Sequence, residues 1–303
     1  MKTKPLKQPY LFSVGPDTPP ALEVSAGEEF SLEIRGAFSD LEDVRKLPEP
    51  FTPEMQGHPL TPVSGPVFVR GAEPGDSVIV ELLEITPKEG EGVTAVLRRW
   101  GCLRDDFREP QIFPCPVRNG SVWFRDIPLP LWPNLGTVST IPAPPSDPSL
   151  GGAHGGDLDH RDVTTGARIH LSVELPGALV FFADPHATIT DGLISGIGVE
   201  CPVTLRARIL LQKGKTLKNA IIELGETLQF VGTGLTTQAA FENAARCAVR
   251  YVAAETGLSD VEAYMLTSLA GEMRTWTTPR PIMSARLIIP KSILRSGRSK
   301  SKN

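Results

Sequence analysis

The chain reads as a mostly β protein, and three observations carry that reading. It has 29 prolines and 28 glycines in 303 residues, and proline, lacking the amide donor of a sheet ladder, collects in turns, edges and loops. Apolar and polar residues alternate with period two in run after run as far as residue 231, as strands with one buried face do. Helical periodicity is confined to 237–270, near the C-terminus.

In chain order, residues 21–34 (ALEVSAGEEFSLEI) alternate on both sides of Ala26-Gly27, which predicts a hairpin. Residues 66–85 repeat the pattern around Pro74-Gly75, a pair that suits a type II turn because proline presets φ and glycine accepts the positive φ that follows. Asn119-Gly120, between CPV and SVWF, predicts a type I′ hairpin. Residues 36–62 and 126–150 alternate poorly and are rich in proline; the second reads as a long ordered loop, and long loops in compact domains are often functional. Strands resume over 167–182, 193–211 and 220–231. Residues 237–255 then set Phe241, Ala244, Ala245, Ala248, Val249 and Val252 on one helical stripe, with Gly257 as its stop. Ser259 and Glu262 have the spacing of a capping box, opening a second helix whose apolar face would be Met265, Leu266 and Leu269. The run SARLIIPKSIL predicts a last strand, and RSGRSKSKN a solvated, disordered basic tail.

The bulk properties exclude several classes. A net charge of −4 argues against nucleic acid, which asks for a basic face. No segment has the roughly 20 apolar residues of a membrane helix, and MKTKPLKQPYLF lacks the features of a secretory signal, so a cytoplasmic protein with no membrane partner is expected. The four cysteines, Cys102, Cys115, Cys201 and Cys247, form no CxxC pair, which points to neither a disulfide framework nor a thiolate metal site. No glycine-rich phosphate loop and no GxSxG elbow is present.

The chemistry concentrates in residues 151–200. GGAHGGDLDHRD brings His154, Asp157, Asp159, His160 and Asp162 close together, and ADPHATITDG adds Asp184, His186 and Asp191 after a β-rich span. Imidazoles and carboxylates gathered by strands are what a zinc-type or other divalent metal site needs. The blander alternative for an aspartate beside glycine is a turn residue bonded to its own backbone, and it applies to Asp157, Asp162 and Asp191. His160, next to Asp159, and His170, inside a strand, read as exposed or packed side chains.

Three blocks, PVSGPVFVRGAEPGDSVIVELLEI, the long stretch from GGAHGGDLDHRD to GIGVECPVT, and TGLSDVEAYMLTSLAGEMR, resemble the acetamidase/formamidase family from about residue 20 to 290. The resemblance implies a β-sandwich, jelly-roll-like body over 1–215 carrying the His/Asp cluster, and a smaller α+β part over 216–303. It also implies hydrolysis of the C–N bond of small linear amides to ammonia and a carboxylate, homo-oligomers, and a divalent metal, zinc first with calcium or manganese as alternatives. The family's GGN-x-D block matches Gly155, Gly156, Asp157, Leu158 and Asp159, with Asp157 in place of asparagine. Its GD-x-HA-x-x-GDGE block matches Ala183 to Ala187 and then Thr190 to Leu193, so that Leu193 stands where the family offers a glutamate.

On this basis His186 and Asp159 are expected to hold the metal, with Asp184 or His154 as further ligands, and Asp191 or Glu200 to carry the proton. A Cys201 nucleophile is the competing enzyme mechanism. The loss of the acidic residue at Leu193 keeps open a second class, a β-sandwich protein that binds a small ligand or metal without turnover.

Overall fold

A sheet that is apolar on one face must bury that face, and here two sheets bury theirs against each other. The computed structural model describes residues 11–38, 44–48, 50, 61–276 and 281–294; the tail expected to be disordered, 295–303, lies outside them. A seven-stranded sheet runs Leu22–Val24, Val63–Val69, Val180–Thr188, Val199–Glu200, Val93–Val96, Gln111–Pro114, with Asn134–Ser139 also paired to Val180–Thr188. An eight-stranded sheet runs Glu272–Thr275, Met283–Pro290, Thr227–Gly234, Ile221–Leu224, Arg168–Ser172, Ser77–Pro87, Val203–Gln212, Glu29–Ile34. Val67, Leu135, Val138 and Phe182 of the first meet Phe30, Leu32, Val80, Leu82 and Leu205 of the second in one buried cluster. The rings of Phe30 and Phe182 lie 6.2 Å apart across it.

Two expected hairpins turn out to be corners. Leu22–Val24 pairs parallel with Val63–Val69, whereas Glu29–Ile34 joins Val203–Gln212 in the other sheet. The turn at Gly27 (φ +83°) therefore carries the chain from one sheet to the other. Likewise the turn at Pro74-Gly75, closed by the Asp76 N–H donating to Glu73 O at 3.1 Å with Gly75 at φ +94°, links strands of opposite sheets. Alternation reports a buried face but not which strand lies alongside. The Asn119-Gly120 hairpin does form, with both residues at positive φ and Arg118 opposite Ser121.

The segment 126–150, expected as loop, contains the strands Ile127–Pro130 and Asn134–Ser139. All six residues of Asn134–Ser139 are buried, so both faces are covered and no alternation marks it.

α1 (Thr237–Thr256) and α2 (Asp260–Ala270) follow the sandwich strands. α1 buries Ala240, Ala244, Ala248 and Val252, one step round from the expected stripe; Phe241, Ala245 and Val249 are half-buried. The reason is close approach: a Cβ on Gly232 would lie 2.2 Å from Ala244 N and 2.3 Å from Ala240 O, so only small side chains fit under the helix. Ser259 and Glu262 form the capping box, whose value is typically about 1 kcal/mol. Of the expected apolar face of α2, Leu266 is half-buried against the C-terminal cluster, whereas Met265 is 53% and Leu269 85% exposed and the buried positions are Ala263 and Thr267. The eight-stranded sheet continues across residues 215/216, Arg168–Ser172 pairing with Ile221–Leu224, while the C-terminal helices cover an apolar cluster of their own.

Candidate active site

Backbone register assembles the site. In the antiparallel pair formed by Val180–Thr188 and Val199–Glu200, His186 sits opposite Glu200, and its Nε2 lies 3.0 Å from Glu200 Oε1. Asp184, two residues earlier on the strand, brings Oδ2 within 3.6 Å of the same nitrogen. The third strand, Asn134–Ser139, runs alongside with Leu135 opposite Pro185 and Thr137 opposite Ala183. Its Gly136 carbonyl accepts the N–H groups of Leu158 (2.9 Å) and Asp159 (3.1 Å), which draws the GGDLD loop onto the sheet. Asp159, Asp184 and His186 thereby offer ligand atoms all within 4.8 Å of one another.

The site is strained and tightly fitted. Asp159 (φ +46°) and Asp184 (φ +58°) occupy the left-handed region, a cost that persists where surroundings over-determine it and that clusters at functional sites. A Cβ on Gly136 would lie 2.2 Å from Asp184 Oδ2 and 2.5 Å from Asp159 Oδ1. Glycine there keeps open the space the two carboxylates share.

Electrostatics give this floor its character. Asp159, His186 and Glu200 are buried and Asp184 nearly so. Burial, then the Glu200 charge, with further repulsion from Asp159 and Asp157, raises the Asp184 carboxyl well above its ordinary range against the pull of His186. For His186 burial opposes the charged form, but the carboxylates of Glu200 and Asp184 outweigh it and push the imidazole up to about 10. Carboxylates so crowded in a poorly solvated place call for positive charge.

A divalent cation fits that demand. The donors are carboxylate oxygens and an imidazole nitrogen, a set that suits zinc, manganese or calcium. They converge on the space Gly136 leaves, and His186 Nδ1 and Glu200 Oε2 are buried without a hydrogen-bond partner among the described residues. The cluster lies in a cavity of about 660 Å³, whose walls include Phe38, Trp100, Phe181 and Ile197.

Other residues singled out in the sequence sit elsewhere. His154 is buried with Nε2 2.9 Å from Leu150 O, its ring against Gly152; it is not in the ligand group, and burial holds its imidazole below its usual value. It packs a loop. Asp191 does not line the cavity. Its Oδ1 accepts from Arg286 at 2.5 Å and its Oδ2 from Arg274 at 3.1 Å, so two guanidiniums hold the carboxylate that was expected to carry protons. His160 packs beside Trp276 with Nε2 3.0 Å from Ser284 Oγ, and His170 meets Glu223 at 3.2 Å. Cys201 is buried, with its thiol against the carbonyls of Lys88, Glu91 and Pro202. Burial pushes that thiol up to about 11, the reverse of what a nucleophile needs. Sequence reasoning missed Gly136, although a glycine inside an apolar strand signals a close approach; the cavity walls carry no such signal.

The model of the Acetamidase/Formamidase family matches residues 12–146 and 140–295. The acetamidase of Mycolicibacterium smegmatis is 25% identical over 254 residues, covering 60% of this chain and 61% of that one; the chain thus spans about three fifths of that relative's length. The crystal structure of a predicted acetamidase/formamidase from Thermoanaerobacter tengcongensis superposes with a TM-score of 0.86 at 27% identity, covering 95% of each chain. That of an acetamidase from Bacillus halodurans does so at 0.85 and 26%, covering 95% of this chain and 97% of the other.

Proposed function

Because the chain belongs to the acetamidase/formamidase family, we propose that it hydrolyses the C–N bond of linear carboxamides, releasing ammonia and a carboxylate. The observation that carries the reading is the convergence of Asp159, Asp184, His186 and Glu200 on one cavity floor. Amide resonance makes the carbonyl a poor electrophile and the amine a poor leaving group, so the site must both polarise and protonate. A divalent metal, zinc in the first instance, held by Asp159, Asp184 and His186, would polarise the carbonyl and lower the pKa of water toward about 7.

The chain's own residues do the rest. Asp159 and Asp184, fixed in left-handed backbone against Gly136, present their oxygens without reorganisation. Glu200 serves as the proton carrier in place of Asp191: it lines the cavity beside His186, and its Oε2 has no partner among the described residues. It takes a proton from water and delivers it to the departing nitrogen. The buried floor excludes bulk water and so strengthens each of these interactions.

Ammonia release from formamide and acetamide, measured with and without chelator alongside elemental analysis, tests the proposal. Turnover lost with the metal and restored by zinc is expected; chelator-insensitive turnover would refute the metal's part. Leu193, buried where the family offers a glutamate, favours a second reading, a binding protein without turnover, and stoichiometric metal with no ammonia from any amide would establish it. Homo-oligomeric assembly belongs to the same proposal. The exposed Val261, Tyr264, Met265 and Leu269 on α2 supply apolar surface for it, and light scattering on the purified chain decides it. No helix among the described residues is long and apolar enough to cross a membrane. A cytoplasmic location is supported by the four free cysteines, which suit a reducing compartment.

A further inference from the structure

The cavity above the carboxylate floor is far larger than formamide or acetamide requires. At about 660 Å³ it falls within the range of sites that enclose drug-sized ligands, and a substrate whose acyl part is a hydrogen or a methyl would leave most of it to water. Its walls are apolar on two sides. Phe38, Leu97, Trp100 and Ile197 pack as one cluster, Phe181 and Val63 belong to another, and all six face the cavity.

The charge of the lining narrows the choice. Asp147, Asp157, Asp159, Asp184 and Glu200 line the cavity, and no lysine or arginine is among its described lining residues. An acyl group bearing a carboxylate would meet these five acidic side chains with no lysine or arginine among the described lining residues to pair with it. Asp147 is not a ready receptor for a cationic group either, since its Oδ1 accepts from the N–H and hydroxyl of Ser149 at 2.8 and 2.7 Å.

The geometry points to a neutral primary carboxamide with a bulky apolar acyl group, aryl or branched alkyl, as the substrate class. The amide lies on the Asp159/Asp184/His186/Glu200 floor and the acyl group lies between the Trp100 and Phe181 sides. The inference rests on the amide-hydrolase reading above. Water adds to the carbonyl carbon, the C–N bond breaks, and one water plus one amide give one carboxylate and one ammonium. The specificity-determining residue is Ile197, which lies next to Gly198, the residue packed against the His186 ring.

The test is kcat/KM for ammonia release by the full-length, metal-loaded chain from formamide, acetamide, isobutyramide, benzamide and succinamate. A single methylene in an apolar pocket is worth about tenfold or more, so benzamide and isobutyramide are expected to exceed acetamide by at least about tenfold, with succinamate not turned over. Formamide or acetamide equal to or better than benzamide would overturn this inference and leave the amidase reading standing; no ammonia from any amide would overturn both. Ile197→Phe, which fills the cavity, is expected to lower the benzamide-to-acetamide ratio by about tenfold. An unchanged ratio in a variant with wild-type circular dichroism would remove Ile197 from the role, and the wild-type panel decides the substrate class should that variant fail to fold.

Discussion

Replacing Gly136 by alanine is the most direct perturbation of the site, because one methyl group reaches both carboxylates without touching either residue. The added carbon would sit 2.2 Å from Asp184 Oδ2 and 2.5 Å from Asp159 Oδ1, whereas ordinary contact begins near 3.4 Å. Each oxygen must therefore retreat by about an ångström, and a misplacement of that size costs on the order of a hundredfold in rate. Neither aspartate has an easy route: both are in left-handed backbone, and Asp159 is pinned through its N–H to the Gly136 carbonyl. Overpacking a dense interior adds a stability cost of about 1–3 kcal/mol. Gly136→Ala should thus lower kcat/KM by about a hundredfold and lose bound metal, while its circular dichroism stays that of the wild type. Gly15→Ala, at a position with nothing within 4 Å, is the control and should be neutral. The assays are ammonia release, metal content by elemental analysis, and thermal unfolding with and without chelator. A Gly136→Ala protein with wild-type metal content and turnover would show that the carboxylates do not act together in the space this glycine leaves.

Three further outcomes follow from the same structure. Glu200→Gln keeps a hydrogen-bonding partner for His186 but cannot carry a proton, so kcat should fall by about 10²–10⁴-fold with metal content unchanged; kcat within about threefold of wild type would remove Glu200 from the role. Arg286, fully buried between Asp162 and Asp191, should on replacement by alanine destabilise the fold by about 3–5 kcal/mol, read by denaturant titration, because both carboxylates lose a buried counter-charge. Asp76 accepts from Lys213 and from the N–H groups of Gly214 and Glu73, which lowers its carboxyl from 3.8 to about 2. A depressed carboxyl stabilises the fold above its unfolded value and loses that contribution as pH falls through its folded one. The melting-temperature gap between wild type and Asp76→Asn should therefore be full at pH 5 and close near pH 2; a gap constant with pH would refute the assignment.

How much of this was legible in the chain depends on which physical rule each residue obeys. Glu29–Ile34 and Ser77–Pro87 were readable as strands because one face meets the core and the other solvent, but the same alternation is silent about partners, so two corners of the sandwich read as hairpins. Asn134–Ser139 was invisible for the opposite reason: buried on both faces, it has no period to detect, although it carries Gly136. Asp159 and His186 were readable as chemistry from their company. That His186 faces Glu200 follows from antiparallel register, which pattern does not encode. Arg286, in a run that looks half-exposed, is buried because the loops holding Asp162 and Asp191 fold over it.

That last pairing bears on the floor itself. The acidic residues of 157–200 divide into two groups once their surroundings are known. Asp162 and Asp191 are answered by Arg286, with Arg274 as a second cation on Asp191, and so serve as struts for the loops around the cavity. Asp157, Asp159, Asp184 and Glu200 line a cavity in which His186 is the sole basic side chain among the described lining residues. Fixed arginines neutralise the first group, which leaves them nothing to bind. In the second group Asp184 and Glu200 crowd His186 in a buried place, and their mutual repulsion is what a divalent cation would relieve on binding. The sandwich thus sets Arg274 and Arg286 on the carboxylates outside the cavity, and no lysine or arginine is among the cavity's described lining residues.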